Sequence, residues 1–503
     1  MGTTADKLNY LSNTKSLIKN AIVNKGQTVN SGDSFRSFAS KIENIQTGAD
    51  LNDYWNFPEE LGVRTSPSPI TCYIKNIPEV DTSQWINLSS LFRSFVFAEN
   101  FSFPNFNTIY ITSLFRTFDS CIGWYYGSTL TLPNWDTSNV VNMGFTFANS
   151  YIKEFPNWNT VKVTDMSRTF FNCKFLTNIS ENMNTSNVIN ADSMFANCSR
   201  LTTIPNLNFC NLKYANYMFA NCYNLTAIPN FNVKNLSTMA YAFQNCYNLT
   251  TFPNWNTANT INMAYMFNGC INLTTVPNLN FSNVNNTGYM FSTLSKLASI
   301  TNINIDSVRG GVNADRMFSQ CMNVKTISNV RVVNINRANN MFQYLTALTT
   351  ISDLTLSNIN IISNMFNYCG NLTSIVNLNF LMNPPSTSYM SIFEECNNLT
   401  SITNVNIHGV TNLHLMFSDL ANLKNFSIFD TSSVENFGYA FRYCNKLSDA
   451  SIQNIINMCL NSNVTINKNT HNANIGSPFY LTNIANTRYQ NRWSELTAAG
   501  WTY

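Results

Sequence analysis

Hydrophobic and polar positions along this chain recur with a dominant step of 24 residues. Counted from the Phe of a repeating Met-Phe-x-x-Cys pattern, Leu falls six residues on, an apolar residue nine on, and further apolar residues at twelve and usually fourteen. The anchors are Phe95, Phe118, Phe147, Phe170, Phe195, Phe219, Phe243, Phe267, Phe291, Phe318, Phe342, Phe366, Phe393, Phe417 and Phe441. Alternation at twelve and fourteen puts both side chains on one face of a strand and turns residue thirteen outward. After Phe342 the pattern reads ISDLTLSNI over 351–359, which predicts one short parallel strand per repeat. The returning segment, such as NTANTINMAYMF at 256–267, carries Met263, Met266 and Phe267 inward. It is too short for a helix of ordinary length, so turns and short helical pieces are expected there.

Stacked repeats make one elongated body, and this pattern predicts a mainly β solenoid of about fifteen coils. At ~4.8 Å between neighbouring strands its sheet would be roughly 70 Å long. The longer steps hold inserted segments: GWYYGS before Phe147, DSVRGGVNAD before Phe318 and LMNPPSTSYMS before Phe393. Such insertions leave on a loop face, and the loops at 306–315 and 381–391 are a second place where a ligand could bind.

The spacing I-x-x-L-x-L-x-x-I at 351–359 resembles the strand-bearing core of a leucine-rich repeat. The segments NWDTSNVVNMGFTF (134–147) and MFANCSRLTTIP (194–205) resemble the repeats of BspA-like and mycoplasma-type leucine-rich surface proteins. The resemblance covers roughly 86–446 and implies a leucine-rich-repeat-like right-handed coil. The form here is shorter between the Leu-Thr-Thr-Ile and Asn-Trp parts, so no specific ligand carries over.

The ends differ from the repeats. Residues 4–24 place Leu8, Leu11, Leu17, Ile18, Ala21 and Ile22 on one helical stripe ending at Asn24-Lys25-Gly26, and 31–45 fits a second short helix. A hairpin this small must dock on a partner, on another copy of itself or on the first coil. Residues 1–48 are therefore expected to form a helical N-terminal attachment segment, 49–85 a connector and N-terminal cap, 86–446 the solenoid, and 447–503 a C-terminal cap over the last coil. The pattern TTADKLNYLSNTKSLIKNAIVNKG followed by FRSFASKI resembles the N-terminal segment of phage tail and virion structural proteins. That resemblance implies attachment to a virion and assembly as a homo-oligomer such as a trimer.

Composition narrows the partners. Of 503 residues, 29 are Lys or Arg and 26 Asp or Glu, giving a net charge of +3, which leaves no basic footprint for nucleic acid. Charged residues make up 11%, well below the ~25% usual in soluble domains; Asn, Thr and Ser carry the polarity. No basic-then-apolar leader opens the chain, no stretch approaches ~20 apolar residues, so no membrane insertion is expected, and Asp6 breaks the myristoylation pattern at Gly2.

Thirteen Cys are present, and ten hold the third place after the anchor: Cys121, Cys173, Cys198, Cys222, Cys246, Cys270, Cys321, Cys369, Cys396 and Cys444. Leu294, Leu345 and Leu420 replace them elsewhere, there is no CxxC pair, and the only histidines are His408, His414 and His471. A residue exchangeable with Leu is a small hydrophobe. The ladder is read as free structural thiols, with no metal and no cofactor.

Asparagine is the other recurring feature. Position thirteen is Asn107, Asn159, Asn184, Asn208, Asn232, Asn256, Asn280, Asn304, Asn379 or Asn406, with Asp136, Arg331, Thr355 and Asp430 in the remaining repeats. Position eleven adds Asn206, Asn230, Asn254, Asn278, Asn302, Asn329, Asn377 and Asn404. Asn is a poor strand former, so its persistence has another cause. One reading is a ladder of amides bonded from coil to coil; the other is a recognition surface for neutral glycans or polar proteins. The candidate ligand face comprises Asn206, Asn208, Asn230, Asn232, Asn254, Asn256, Asn278, Asn280, Asn302, Asn304, Asn329 and Arg331. Trp135, Trp158 and Trp255 hold position twelve and are expected in the core. The Asn-Leu-Thr triplets fit a glycosylation sequon but are the repeat's Leu with its flanks.

No phosphate loop, nucleophile elbow or zinc-protease motif occurs. Glu59-Glu60 and Glu394-Glu395 are adjacent acids that would point apart on a strand. The chain therefore reads as a non-catalytic phage fibre or spike in the virion, joined to other virion proteins at its N-terminus and binding bacterial surface glycan or protein. The alternative is a bacterial cell-surface adhesin of the same repeat family, and a surface-glycan depolymerase comes third.

Overall fold

A benzene ring of one coil lies flat on that of the next along the whole described solenoid. Phe118, Phe147, Phe170, Phe195 and Phe219 stack with centroids 5.3–5.7 Å apart, and the file continues through Phe243, Phe267, Phe291, Phe318, Phe342, Phe366, Phe393 and Phe417 to Phe441. In-register coils bring identical side chains into contact, and a flat ring fills the coil-to-coil space. The computed structural model describes residues 72–74, 82–97, 103, 106–123, 132–382, 391–462 and 498. The helices expected over 4–24 and 31–45, most of the connector at 49–85 and most of the cap beyond 462 lie outside the described residues.

The first anchor differs from the expected Phe95. FRSF at 92–95 copies FRTF at 115–118, but Phe92 is the residue that stacks on Phe118, at 5.4 Å. Val96 pairs with Ile122, so Phe95 falls in the place that Cys121 fills one coil later. Local similarity pointed to one register and the stacking surface selects another.

Strand pairing divides the solenoid in two. In the C-terminal coils, β4 (Ser299–Asp306), β6 (Thr326–Val333), β8 (Thr350–Ile359), β9 (Ser374–Met382), β10 (Ser401–His408) and β11 (Asn425–Phe426) form a parallel sheet in that order. Ile300, Ile327, Ile351, Ile375, Ile402 and Phe426 are register partners and are buried, as are Ile303, Val330, Leu354, Leu378 and Val405. Position eleven of each strand is left-handed, with φ of 52–57° at Asn302, Asn329, Asp353, Asn377 and Asn404. Asn and Asp tolerate that region best among residues with a Cβ. Smaller sheets join β1 (Cys72–Ile74), β2 (Phe95–Phe97) and β3 (Ile122–Gly123), and β5 (Val312–Asn313) with β7 (Ile335–Arg337).

In the preceding coils the tenth position is Pro205, Pro229, Pro253 or Pro277. Proline has no N–H to give to a ladder. Instead Leu207, Phe231 and Trp255 donate their backbone N–H to the proline carbonyl two residues back, at 2.8, 2.9 and 3.0 Å. The in-out alternation survives, with Leu207, Phe209, Phe231, Val233 and Trp255 buried, but no paired strand forms there among the described residues. Each proline coil thus makes a local turn at these positions, as does the coil of Ser180, where the Met183 N–H bonds the Ser180 carbonyl at 3.1 Å, and the paired strands lie in the proline-free coils from residue 299 on.

One tie between the proline coils lies five residues before each anchor. Single parallel bridges run from Asn87 through Ser113, Asn142, Asp165, Asn190, Tyr214, Thr238, Asn262 and Asn286 to Asn313. At the other end α1 (Asp449–Leu460) starts at the N-cap Ser448 and buries Ile452, Ile455, Ile456 and Met458. Ser451 Oγ donates to the Lys424 carbonyl and accepts the Phe426 N–H, which fixes this helix on β11.

Candidate functional site

The thiol ladder has a polar purpose as well as an apolar one. Each of the ten cysteines donates its S–H to the carbonyl of the anchor Phe one coil back, from Cys121 to Phe92 at 2.8 Å to Cys369 to Phe342 at 3.3 Å. Ser150 holds the same place and donates to the Phe118 carbonyl, a substitution that signals a donor where exchange with Leu suggested only bulk. The described residues include no disulfide. Burial pushes the thiols of Cys222, Cys321, Cys369 and Cys444 up to about 12 and raises those of Cys121, Cys173, Cys198, Cys246, Cys270 and Cys396. Such groups stay protonated and are poor nucleophiles.

The asparagines sort into three uses. At position thirteen of the proline coils the amide oxygen accepts the backbone N–H two residues on: Asn208 from Cys210 at 3.2 Å, Asn256 from Ala258 at 3.2 Å and Asn280 from Ser282 at 2.9 Å. The coil-to-coil ladder expected at this position is therefore replaced by a local turn; in the sheet, Asn379 does reach Thr355 Oγ1 at 3.3 Å. Asp136 and Asp430 make the same turn with Ser138 and Ser432, and those hydrogen bonds hold both carboxyls below the usual range.

Amide ladders exist elsewhere. At position eleven Asn329 donates to Asn302 Oδ1 at 2.7 Å, Asn377 to Asp353 at 2.6 Å, and Asn404 to Asn377. Two residues after the anchor, Asn172 donates to Asn149, Asn221 to Asn197 and Asn245 to Asn221, at 2.8–2.9 Å. These turn residues have φ of 57–64°, and Gly269, with φ +79°, ends the run. The Asn of each Asn-Leu-Thr triplet has a third use, as when Asn272 donates to the Tyr247 carbonyl at 2.8 Å and Asn371 to that of Thr346 at 2.8 Å. Asn172, Asn197, Asn221, Asn245 and Gly269 before their Cys were the available sign of a left-handed turn, a conformation that Ser120, Gln320, Tyr368, Glu395 and Tyr443 share without that signal.

The candidate face is exposed at all twelve positions, and five of its amides meet in one groove of about 720 Å³. It opens where the last proline coil meets β4. Backbone bonds join these coils on either side, Lys296 to Ile271 at 3.1 Å and Val308 to Ser282 at 2.9 Å. Between them the sheet ends at β4 and Pro277 has no N–H to extend it. Asn254, Asn278, Asn280, Asn302 and Asn304 line the groove with Trp255, Val276 and Leu279 beneath. The Trp255 indole donates to the Pro229 carbonyl at 3.0 Å, so its ring belongs largely to the core. Asp306 is the one carboxylate lining the groove, and Arg331 faces it at 3.6 Å. Asn206, Asn208, Asn230 and Asn232 are exposed on the proline coils and Asn256 and Asn329 beside the groove, but none of them lines it. The junction could be read from Val276-Pro277-Asn278 giving way to Ile300-Thr301-Asn302; Asp306 carried no signal of its own.

A second file lies two residues before the anchors. Tyr217, Tyr241, Tyr265 and Tyr289 stack at 4.4–4.5 Å, and Arg316 closes the stack over Tyr289 at 5.4 Å while donating to its hydroxyl at 2.6 Å. Burial, then the neighbouring phenols, push the Tyr265 hydroxyl up to about 12. Towards the N-terminus Phe145 lies between Arg116 and Arg168, at 4.6 and 5.0 Å.

Fold and face together define a leucine-rich-repeat-type β solenoid with an amide-lined groove. The chain matches the family described as Mycoplasma protein of unknown function, DUF285, over residues 70–152, 112–227, 145–251, 215–324, 312–380 and 387–479, and it belongs to that family. Solved structures similar to it include a leucine-rich repeat protein from Bacteroides ovatus, 14% identical over 79% of this chain and 96% of that one with a TM-score of 0.38. Another is a leucine rich cell surface protein from Faecalibacterium prausnitzii, 16% identical over 76% and 93% with a TM-score of 0.29. No curated protein sequence matches the chain.

Proposed function

We propose that this protein is a non-catalytic recognition rod of the bacterial cell surface, an adhesin whose groove at 254–306 binds a polar surface polymer. The convergence of Asn254, Asn278, Asn280, Asn302 and Asn304 in one groove carries the reading. Amides offer directed hydrogen bonds without net charge, and a stacked core holds them at fixed spacing. Membership of a family described from mycoplasmas supports a bacterial surface protein over a virion fibre. The virion reading rests on residues 1–48, outside the described residues. Hydrolysis of a bound glycan ordinarily uses two carboxylates about 5–9.5 Å apart, whereas Asp306 alone lines the groove.

Binding of the labelled full-length chain to arrayed surface glycans and to intact cells tests the proposal. The combined Asn278→Ala, Asn280→Ala and Asn304→Ala variant should bind at least ~10-fold more weakly, equivalent to about 1.4 kcal/mol, while staying folded with a stability loss no greater than the one turn bond of Asn280. Equal binding by the variant sinks the reading, as does release of glycan fragments by the wild type.

A further inference from the structure

Two groove amides have already committed their oxygens. Asn280 Oδ1 accepts the Ser282 N–H at 2.9 Å, and Asn302 Oδ1 accepts from Asn329 Nδ2 at 2.7 Å. An amide carries one oxygen with two lone pairs and two N–H donors, so with one lone pair engaged each of these side chains offers two N–H groups against one remaining lone pair. The Asn280 orientation follows from its partner, since a backbone N–H can only be met by the oxygen, and that of Asn302 follows the same file further along, where Asp353, which can only accept, takes the bond from Asn377. At these two positions the groove therefore presents donors above the apolar Val276 and Leu279, with no cation among its lining residues.

We propose that the groove selects a neutral glycan carrying N-acetyl groups, whose carbonyl oxygens accept from Asn280 Nδ2 and Asn302 Nδ2. This rests on the surface-binding reading and narrows it to a ligand class. A carbonyl oxygen accepts and does not donate, which suits a donor-presenting wall. Neutrality suits a groove whose single carboxylate, Asp306, is shared with Arg331. The apolar floor suits the C–H faces of a sugar ring.

The chain contains its own precedents for removing the donors without disturbing the fold. Asp353 occupies the position equivalent to Asn302, with φ 55°, and accepts from Asn377 at 2.6 Å. Asp136 and Asp430 occupy the position equivalent to Asn280 and make the same turn. Asn280→Asp and Asn302→Asp thus keep the accepting oxygen and delete the NH₂. Titration calorimetry of the full chain with an N-acetylglucosamine hexamer is the test, beside a glucose hexamer of the same linkage. The wild type should bind the N-acetylated hexamer at least tenfold more tightly than the glucose hexamer. The Asn280→Asp, Asn302→Asp variant should lose at least tenfold for the N-acetylated ligand at an unchanged melting temperature. Undiminished binding by this variant overturns the donor assignment, and equal affinity for the two hexamers, or none for the N-acetylated one, overturns the ligand class. If the alanine variant of the preceding section still loses cell binding in those cases, the groove remains the surface-binding site and this inference alone falls.

Discussion

The coils before residue 299 and those after it carry the same Phe stack, the same thiol ladder and the same alternation, yet close their backbones differently. From β4 to β11 the chain pairs strand to strand, and a left-handed Asn or Asp kinks each long strand at position eleven. In the proline coils the same stretch turns on itself, and the joining falls to backbone bonds of the anchor turns, such as Phe195 N–H to the Met218 carbonyl and Phe219 N–H to that of Ala242, both at 2.8 Å, with single bridges and side-chain amides. Asn211, Asn235, Asn259 and Asn283 each donate to a backbone carbonyl one coil back, at 2.6–2.8 Å. One core thus supports two ways of satisfying the backbone, and the groove lies where one gives way to the other. Position-eleven amides bond from coil to coil where the sheet forms, and position-thirteen amides of the proline coils turn back on their own chain.

The largest effect should come from exchanging the feature that separates the regions. Ser352→Pro, in the central strand β8, should cost about 3 kcal/mol or more through a lost ladder bond and a steric clash. Pro253→Ser should cost below about 1 kcal/mol, because no ladder uses that position. Urea midpoints for both variants check the contrast, and equal losses would break it.

A smaller effect sharpens the role of the turn amides. Asn245→Ala should cost about 1–2 kcal/mol for left-handed backbone and about 1 kcal/mol for the hydrogen bond to Asn221. Asn245→Gly loses the bond but relieves the backbone, as Gly269 does one coil on, and should be the milder change in thermal melts.

The pH dependence applies to both regions alike. An unfolded thiol ionises near 9.0, whereas Cys222 and Cys369 hold their protons up to about 12 when folded. The folded state then binds more protons between these values, so the stability tied to the buried thiols is complete below pH 9 and falls as pH rises towards 12. Alkaline unfolding should be steeper for the wild type than for a variant with Cys222→Leu and Cys369→Leu, and iodoacetamide at pH 8 should leave the ladder unmodified until the chain unfolds.

The smallest effect is expected from the ion pair at the groove. Both Arg331 and Asp306 are about half exposed, so Arg331→Ala should change stability by less than about 0.5 kcal/mol. A loss several times larger in urea titrations would mean that this pair holds the junction together.

Much of this was legible because a fixed period leaves few choices. The solenoid, the buried place of Trp135, Trp158 and Trp255 and the outward place of position thirteen follow from alternation alone. Bonding was harder to read, since it depends on backbone angles and on the neighbouring coil. Asn256 shows that an outward amide can be spent on its own chain, and Asn245 that the ladder lies in a turn where no strand pattern points. Phe92 displaced Phe95 because the FRSF sequence copies a neighbour three residues out of register. The groove was beyond the pattern altogether, because it arises from a mismatch between two coils, each ordinary by itself.

Hydrogen exchange on the full-length chain, with and without the N-acetylglucosamine hexamer, tests the central claim most directly. The unliganded protein should protect the central positions of β6, β8, β9 and β10 more than the matching positions of the proline coils. Ligand should slow exchange in peptides covering 276–282 and 299–306. Slowed exchange confined to the inserted loops at 306–315 and 381–391, or no change at the junction, would contradict the account.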